Sequence, residues 1–193
     1  MLKTADILVF AVAIRDRYLS STWKIFFDRS FFNTHTPSLV EKQFAFLISG
    51  PLSQNANLRQ ILEARVELQQ SNLAAFVTDE HGDSAEIDRL LQDLAGNLVW
   101  LAETGYIRPH TFLGVGGMKV FRDDIWGRLR TVFQADHRAY KQMGIYDFPQ
   151  KDWGIRMLNV ATAGLLRLPG FRREFARRIK SQMVQPYQKV VQP

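Results

Sequence analysis

The opening stretch constrains the fold more than any other part of the chain. The apolar run Asp6-Ile-Leu-Val-Phe-Ala-Val-Ala13 passes almost directly into Leu19-Ser-Ser-Thr-Trp-Lys-Ile-Phe-Phe-Asp-Arg29. A short strand, a polar loop and an amphipathic helix therefore follow one another. A near-continuous apolar strand is what a parallel sheet covered on both faces requires. Ser20, Ser21 or Thr22 can cap the helix, and Trp23, Phe26 and Phe27 then fall at i, i+3 and i+4 on one face, with Lys24 and Asp28 paired outside. Between strand and helix lies Ile14-Arg-Asp-Arg-Tyr18. Open α/β sheets bind ligands at that place, the carboxyl end of a strand.

The same alternation continues. After the turn-rich Phe32-Asn-Thr-His-Thr-Pro37, Glu41-Lys-Gln43 leads into a strand from Phe44 to Ile48, which ends in the polar loop Ser49-Gly-Pro-Leu-Ser-Gln-Asn55. Asn57 with Gln60 reads as a capping box before the helical stripe Leu58, Ile61, Leu62 and Val66. A third strand, Leu73 to Val77, closes at Thr78-Asp-Glu-His-Gly82. Asp83 with Glu86 then opens a helix whose apolar positions, Ile87 through Leu101, keep a period of 3.6 until Gly105 stops it. Strand and helix in strict alternation predict a parallel sheet with crossover helices.

Ala5-Asp6, the strand Ile7 to Phe10, and then Lys24, Phe26, Asp28 and Arg29 match, in order and spacing, one element of a known family. Over roughly its first half the chain resembles the flavodoxin-like NAD(P)H-dependent FMN reductases and quinone reductases. The resemblance implies a flavodoxin-like three-layer α/β fold with a parallel sheet, bound FMN, NAD(P)H as co-substrate, a small-molecule electron acceptor such as a quinone or flavin, and a homodimer. In that family the matching strand is the third. It is preceded by a first strand and a Ser/Thr/Gly-rich loop that holds the FMN phosphate, whereas here only Met1-Leu-Lys-Thr4 precedes it. The expectation is an N-terminally truncated flavodoxin-like domain with a helical cap, residues 1–143, followed by a basic helical tail, residues 144–193. In the strand order 2-1-3-4-5, Ile7 to Ala13 then becomes an unpaired apolar edge, which points to a partial chain or to a covering partner.

Ala13, Ile14, Arg15, Asp16, Tyr18, Leu19 and Ser20 of the first loop, and Ser49, Gly50 and Pro51 of the second, are the candidate cofactor-binding residues. The resemblance implies that the two loops cradle the isoalloxazine ring. Main-chain amides would bond its N5 and pyrimidine edge, Tyr18 would stack, and Arg15 would stabilise negative charge on the reduced ring. No protein nucleophile is assigned, because the flavin itself accepts the hydride. The family's Pro-aromatic pair is replaced here by Ala13-Ile14-Arg15-Asp16, and Arg15, Asp16 and Arg17 also read as a solvated turn with local ion pairs. The alternative function is a non-catalytic flavodoxin-like module that acts through its edge strand and basic tail.

Phe112-Leu-Gly-Val-Gly-Gly-Met-Lys119 invites a phosphate-loop reading, but it lacks the last glycine of the dinucleotide fingerprint and its lysine is not followed by Ser or Thr. A tight turn with positive φ is the expectation. A helical stretch from Val120 to Met143 follows, broken at Gly144-Ile-Tyr-Asp-Phe-Pro149. Asp136-His137 are neighbours that a helix would point apart.

Charge is divided unequally. Residues 151–193 hold nine Lys and Arg against Asp152 and Glu174, whereas residues 1–150 hold sixteen basic and seventeen acidic residues. The basic character therefore belongs to the tail, where Phe171, Phe175 and Ile179 form an i, i+4, i+8 stripe among arginines. Such a helix suits peripheral contact with an anionic membrane, a partner, or its own domain. No nucleic-acid recognition motif accompanies the charge, so no nucleic-acid partner is expected. The sequence has no Cys, which excludes disulfides and thiolate metal sites, and its four histidines lack ligand spacing. The first apolar run is broken at Arg15 and follows a single lysine, unlike a secretory leader, so a cytoplasmic location is the default.

Overall fold

The computed structural model describes residues 2–30, 35–80, 82–127, 129–146 and 152–191, with side chains through Ser181 apart from Leu2 and Lys180. The turn read at Phe32–Pro37 lies partly outside these residues, as do His81 and the end of the break read at Gly144–Pro149. The chain divides into two compact units, 1–121 and 122–193. Among the described residues it is an α/β protein with four strands and seven α-helices, compatible with a flavodoxin-like fold.

In the first unit, β1 (Ile7–Arg15), β3 (Gln43–Ser49) and β4 (Asn72–Thr78) are parallel, and the two-residue β2 (Tyr18–Leu19) pairs antiparallel with the end of β1, giving the order β2-β1-β3-β4. Helix α1 (Ser21–Arg29) follows β2, α2 (Ala56–Leu68) crosses from β3 to β4, and α3 (Ser84–Thr104) follows β4. Leu8, Val12, Phe44, Phe46 and Ile48 face a core completed by Leu19, Phe27, Leu58, Leu62 and Val66. On the opposite face Ala45 and Val77 meet Leu94 and Leu98 of α3. The alternation of the sequence thus produces three layers.

The α1 side holds an aromatic cluster. Phe10, Trp23, Phe26, Phe27, Phe44 and Phe46 pack with ring centroids 5.3 to 6.0 Å apart, mostly tilted or edge-on, the arrangement ring quadrupoles favour. Outside it, Lys24 and Asp28 form the expected i, i+4 pair at 2.8 Å. Two expected caps differ. Ser20 occupies the N-cap of α1 without a side-chain cap bond, and α2 starts one residue before the proposed capping box, with Asn55 as its N-cap. The Asn55 side chain instead donates to the Pro51 carbonyl at 2.7 Å. The Asp83 cap of α3 is present, accepting from the Ala85 amide at 2.9 Å, and Gly105 ends that helix at φ 63°.

The expected cover on both faces of β1 is not complete. Val9 is 46% exposed and Ala11 is also exposed, because the α3 layer reaches β3 and β4 but only Ile7 of β1. The Gln43 amide donates to the Asp6 carbonyl on the inner edge, while the Ala13 carbonyl accepts from Ser20 on the outer one. Strand β2 pairs only Ile14 and Arg15, so Ile7 to Ala13 has no outer partner strand among the described residues.

The glycine-rich segment is a second departure. Helix α4 (Phe112–Trp126) contains all of it, and Gly114, Gly116 and Gly117 are not among the residues of positive φ. Small size is what this helix needs. A Cβ on Gly114 would lie 2.6 Å from the Glu67 side chain, and one on Gly117 would lie 3.0 Å from Leu68. Glu67 is 2% exposed and accepts from the Thr111 and Gly114 amides at 3.1 and 2.9 Å and from the Thr111 hydroxyl at 2.8 Å. A carboxylate from α2 therefore caps the amino end of α4, where the helix dipole favours negative charge. Arg108 is its counter-ion at 3.3 Å and also binds Glu63.

In the second unit, the expected single stretch from Val120 to Met143 is two helices, α4 ending at Trp126 and α5 (Gln134–Gln142), followed by α6 (Trp153–Leu165) and α7 (Pro169–Val191). Tyr140 is fully buried here.

Two outcomes are expected in urea unfolding. Gly114→Ala lowers stability by about 1 to 3 kcal/mol through overpacking, and Glu67→Gln by about 3 kcal/mol through loss of a buried ion pair's charge. The hairpin supplies the opposite case. Asp16 and Arg17 take φ 50° and 64°, a cost that Asn and Gly avoid, so Asp16→Asn with Arg17→Gly raises stability by about 1 kcal/mol.

Candidate functional site

The site lies at the carboxyl ends of β1, β3 and β4, where the parallel arrangement brings three connections together. The first connection differs from the expected open loop. β1 continues through Ile14 and Arg15, and only Asp16 and Arg17 turn before Tyr18 and Leu19 return antiparallel, with Ile14 opposite Leu19 and Arg15 opposite Tyr18. The chain extends because the hairpin lets Leu19 reach the core, where it is 4% exposed. Arg15, Asp16 and Arg17 are exposed, whereas Tyr18 packs against the α1 side of the core. Ser20 is half-buried, and its amide donates to the Ala13 carbonyl at 3.2 Å.

The second connection sits against the first. Gly50 takes φ 117°, and a Cβ there would lie 3.0 Å from Cβ of Ile14. Any larger residue would combine backbone strain with a clash, so glycine is the residue the turn requires. Ser49 and Pro51 are exposed on either side, and Leu52 anchors the loop at 2% exposure.

The third connection supplies two residues that the sequence reading did not single out. Asp79 accepts from the Gly50 amide and the Ser49 hydroxyl, both at 2.7 Å. Glu80 accepts from the Ser53 amide at 3.0 Å and the Ser53 hydroxyl at 2.6 Å. The remaining amides of the loop bond internally: Leu52 to the Gly50 carbonyl, Gln54 to Pro51 and Asn55 to Leu52. Four donors thus point to one rim and are held there by two exposed carboxylates. The bond from Gly50, then that from Ser49, holds the Asp79 carboxyl below its ordinary range. The sequence trace of this clamp is an acidic pair directly after an apolar run, with a Ser/Gly loop on the adjacent strand.

An apolar cavity of about 110 Å³ lies elsewhere, under α1, lined by Phe10, Phe26, Leu39, Phe44, Arg65 and Val66 among others. The second unit holds its own titratable pair, His137 Nδ1 and the Tyr146 hydroxyl at 3.0 Å, beside Trp126 and Tyr140. Burial, with Arg130 and Lys141 nearby, pushes His137 down to about 4, and burial pushes Tyr146 up to about 12. Asp136 is not the partner of His137 in this bond, in keeping with their adjacent places on α5. Among the described residues no cluster of three His, Asp or Glu could hold a metal ion, and no helix is long and apolar enough to cross a membrane.

No family model matches the chain, and no curated protein matches it. Among solved structures, the Trp repressor binding protein from Bacillus subtilis is similar with a TM-score of 0.37 at 23% identity. The alignment covers 50% of this chain, which spans 65% of the length of that protein.

The clamp titrates with a defined sign. Because the folded pKa of Asp79 is depressed, its contribution is complete above the unfolded value of about 3.9 and is lost as pH falls through the lower folded value. The Gly50 amide resonance is expected to move upfield only below about pH 4, which an NMR pH series checks.

Proposed function

We propose that this chain carries the ring side of a flavin-dependent NAD(P)H oxidoreductase, as that enzyme or as its carboxyl-terminal part. One observation supports the reading above the rest. The hairpin after β1 and the loop after β3 abut at Ile14 and Gly50, and that loop, from Ser49 to Ser53, turns four hydrogen-bond donors to the rim of the sheet. Such donors suit a ligand edge rich in acceptors, as a flavin's is, and the Asp79 and Glu80 carboxylates show that they take acceptors. Both carboxylates are exposed, so releasing the loop from them restores hydration to charged groups rather than burying them.

FMN, when bound, takes up a hydride from NAD(P)H and passes electrons on to a small acceptor. The protein's share is binding and electrostatics. The Gly50 and Ser53 amides and the Ser49 and Ser53 hydroxyls would orient the ring edge. Arg15, exposed at the end of β1, would counter negative charge on it.

The competing module reading rests on those same amides being committed internally. An FMN titration followed by flavin fluorescence separates the two. Binding is expected, and Asp79→Ala with Glu80→Ala is expected to tighten it about tenfold by freeing charge-assisted bonds. Folded wild-type and variant chains that both leave the fluorescence unquenched would overturn the proposal and favour the module.

A further inference from the structure

Helix α6 is built inside out. Its one fully buried residue is polar, Asn159, which donates to the Gly127 carbonyl at 2.9 Å and meets the Thr131 hydroxyl at 3.3 Å. Its outer positions are apolar. Trp153, Met157, Leu158 and Val160 are between 62% and 69% exposed, and Leu165 and Leu168 are exposed beyond them. From Met157 to Leu166 no residue carries charge. Arg156, the one charged residue of the helix, is half-buried and lies over the rings of Trp126 and Trp153 at 5.5 and 4.6 Å. A helix of a soluble domain has the reverse arrangement, with its apolar stripe inward. A contiguous apolar face on this scale marks an interaction surface.

The charge around this face indicates what covers it. The apolar positions run on through Leu168 and Phe171, flanked by Arg167, Arg172 and Arg173, for which no carboxylate partner is present among the described residues. Glu174 engages Arg177 and Arg178, so one acid answers this whole arginine-rich segment. The stripe that the sequence offered for membrane contact is less exposed than α6: Phe171 is 39% exposed and Phe175 and Ile179 are half-buried. Phe175 and Ile179 line an open groove with Ala135, Ala163 and Leu166, and Arg167 and Arg172, both exposed, stand at the same groove. The most exposed apolar side chains of this unit are therefore on α6, with the guanidiniums of the α6–α7 connection and of α7 next to it in the chain.

We infer that the outer face of α6 beds into the surface of an anionic lipid bilayer, with Arg167, Arg172 and Arg173 on the headgroups. A bilayer surface supplies both halves of the required complement, hydrocarbon for an uncharged helix face and negative charge for neighbouring arginines that have no carboxylate partner among the described residues. Thirteen residues make α6 about 20 Å long, too short to span a membrane and suited to lying along it. The inference is independent of the flavin reading.

Vesicle flotation of the full chain tests it, with phosphatidylcholine vesicles alone and with phosphatidylglycerol added. Binding is expected with the anionic vesicles and is expected to fall with salt. Met157→Asp and, separately, Leu158→Ser should weaken it about tenfold, the loss expected from removing one buried apolar side chain. Arg172→Gln with Arg173→Gln should weaken it and flatten its salt dependence. All these positions are exposed, so unchanged circular dichroism is expected. No flotation of the wild-type chain, or equal flotation of wild type and Met157→Asp, would overturn the inference. Concentration-dependent self-association that Met157→Asp abolishes, without flotation, would also overturn it and assign the face to a second copy.

Discussion

The buried carboxylate of Glu67 is the interaction on which the first unit depends. It joins a polar chain that runs beneath the amino ends of the parallel strands. Gln43 donates to the Tyr106 carbonyl at 3.1 Å, Asn72 donates to Gln43 at 2.6 Å, and Arg108 donates its amide to Asn72 at 3.2 Å before meeting Glu67. Gln43, Glu67 and Asn72 are each 2% exposed or less. Polar groups removed from water this completely must satisfy one another, and losing one member leaves the rest unpaired. The chain of bonds therefore fixes where the segment after α3 returns to the sheet and where α4 begins. Arg108 Nε is the one buried side-chain donor among the described residues left without a partner.

With one end of the sheet sealed in this way, the other end is left to present loops. The contrast is chemical. At the amino end the carboxylate is buried and bonded to a helix terminus. At the carboxyl end Asp79 and Glu80 are exposed and hold a turn through bonds that water or a ligand can replace. Burial makes the first set structural, and exposure makes the second exchangeable. The same reasoning separates the largely buried aromatic cluster under α1 from Val9 and Ala11 on the open flank of β1.

The two units differ in how sequence pattern translates into surface. In the first, much of each apolar stripe becomes core, as at Leu58, Leu62 and Val66 or Leu94, Leu98 and Leu101, although Ile61 of the α2 stripe and Phe112 of α4 are exposed. In the second, the buried positions include a tyrosine and an asparagine, while tryptophan, methionine, leucine and valine of α6 face outward. Hydrophobic burial alone does not account for that arrangement, which gives α6 its interest.

What the sequence determined by itself was the local alternation: three parallel strands near the expected limits, their connecting helices, the Asp83 cap and the Gly105 stop. Each of these rests on periodicity or on a short-range bond, which neighbouring residues suffice to encode. The meeting of the first two candidate loops was also legible, because parallel strands place consecutive connections side by side. Contacts distant along the chain decided the rest. Glycines that suit a turn in isolation became helix because Glu67 and Leu68 press against them. Ile14 and Arg15 became strand because Leu19 returns to the core. Asp79 and Glu80 acquired a role only when β4 brought them beside Ser49 to Ser53, and a one-dimensional pattern does not record which polar side chains will share a rim.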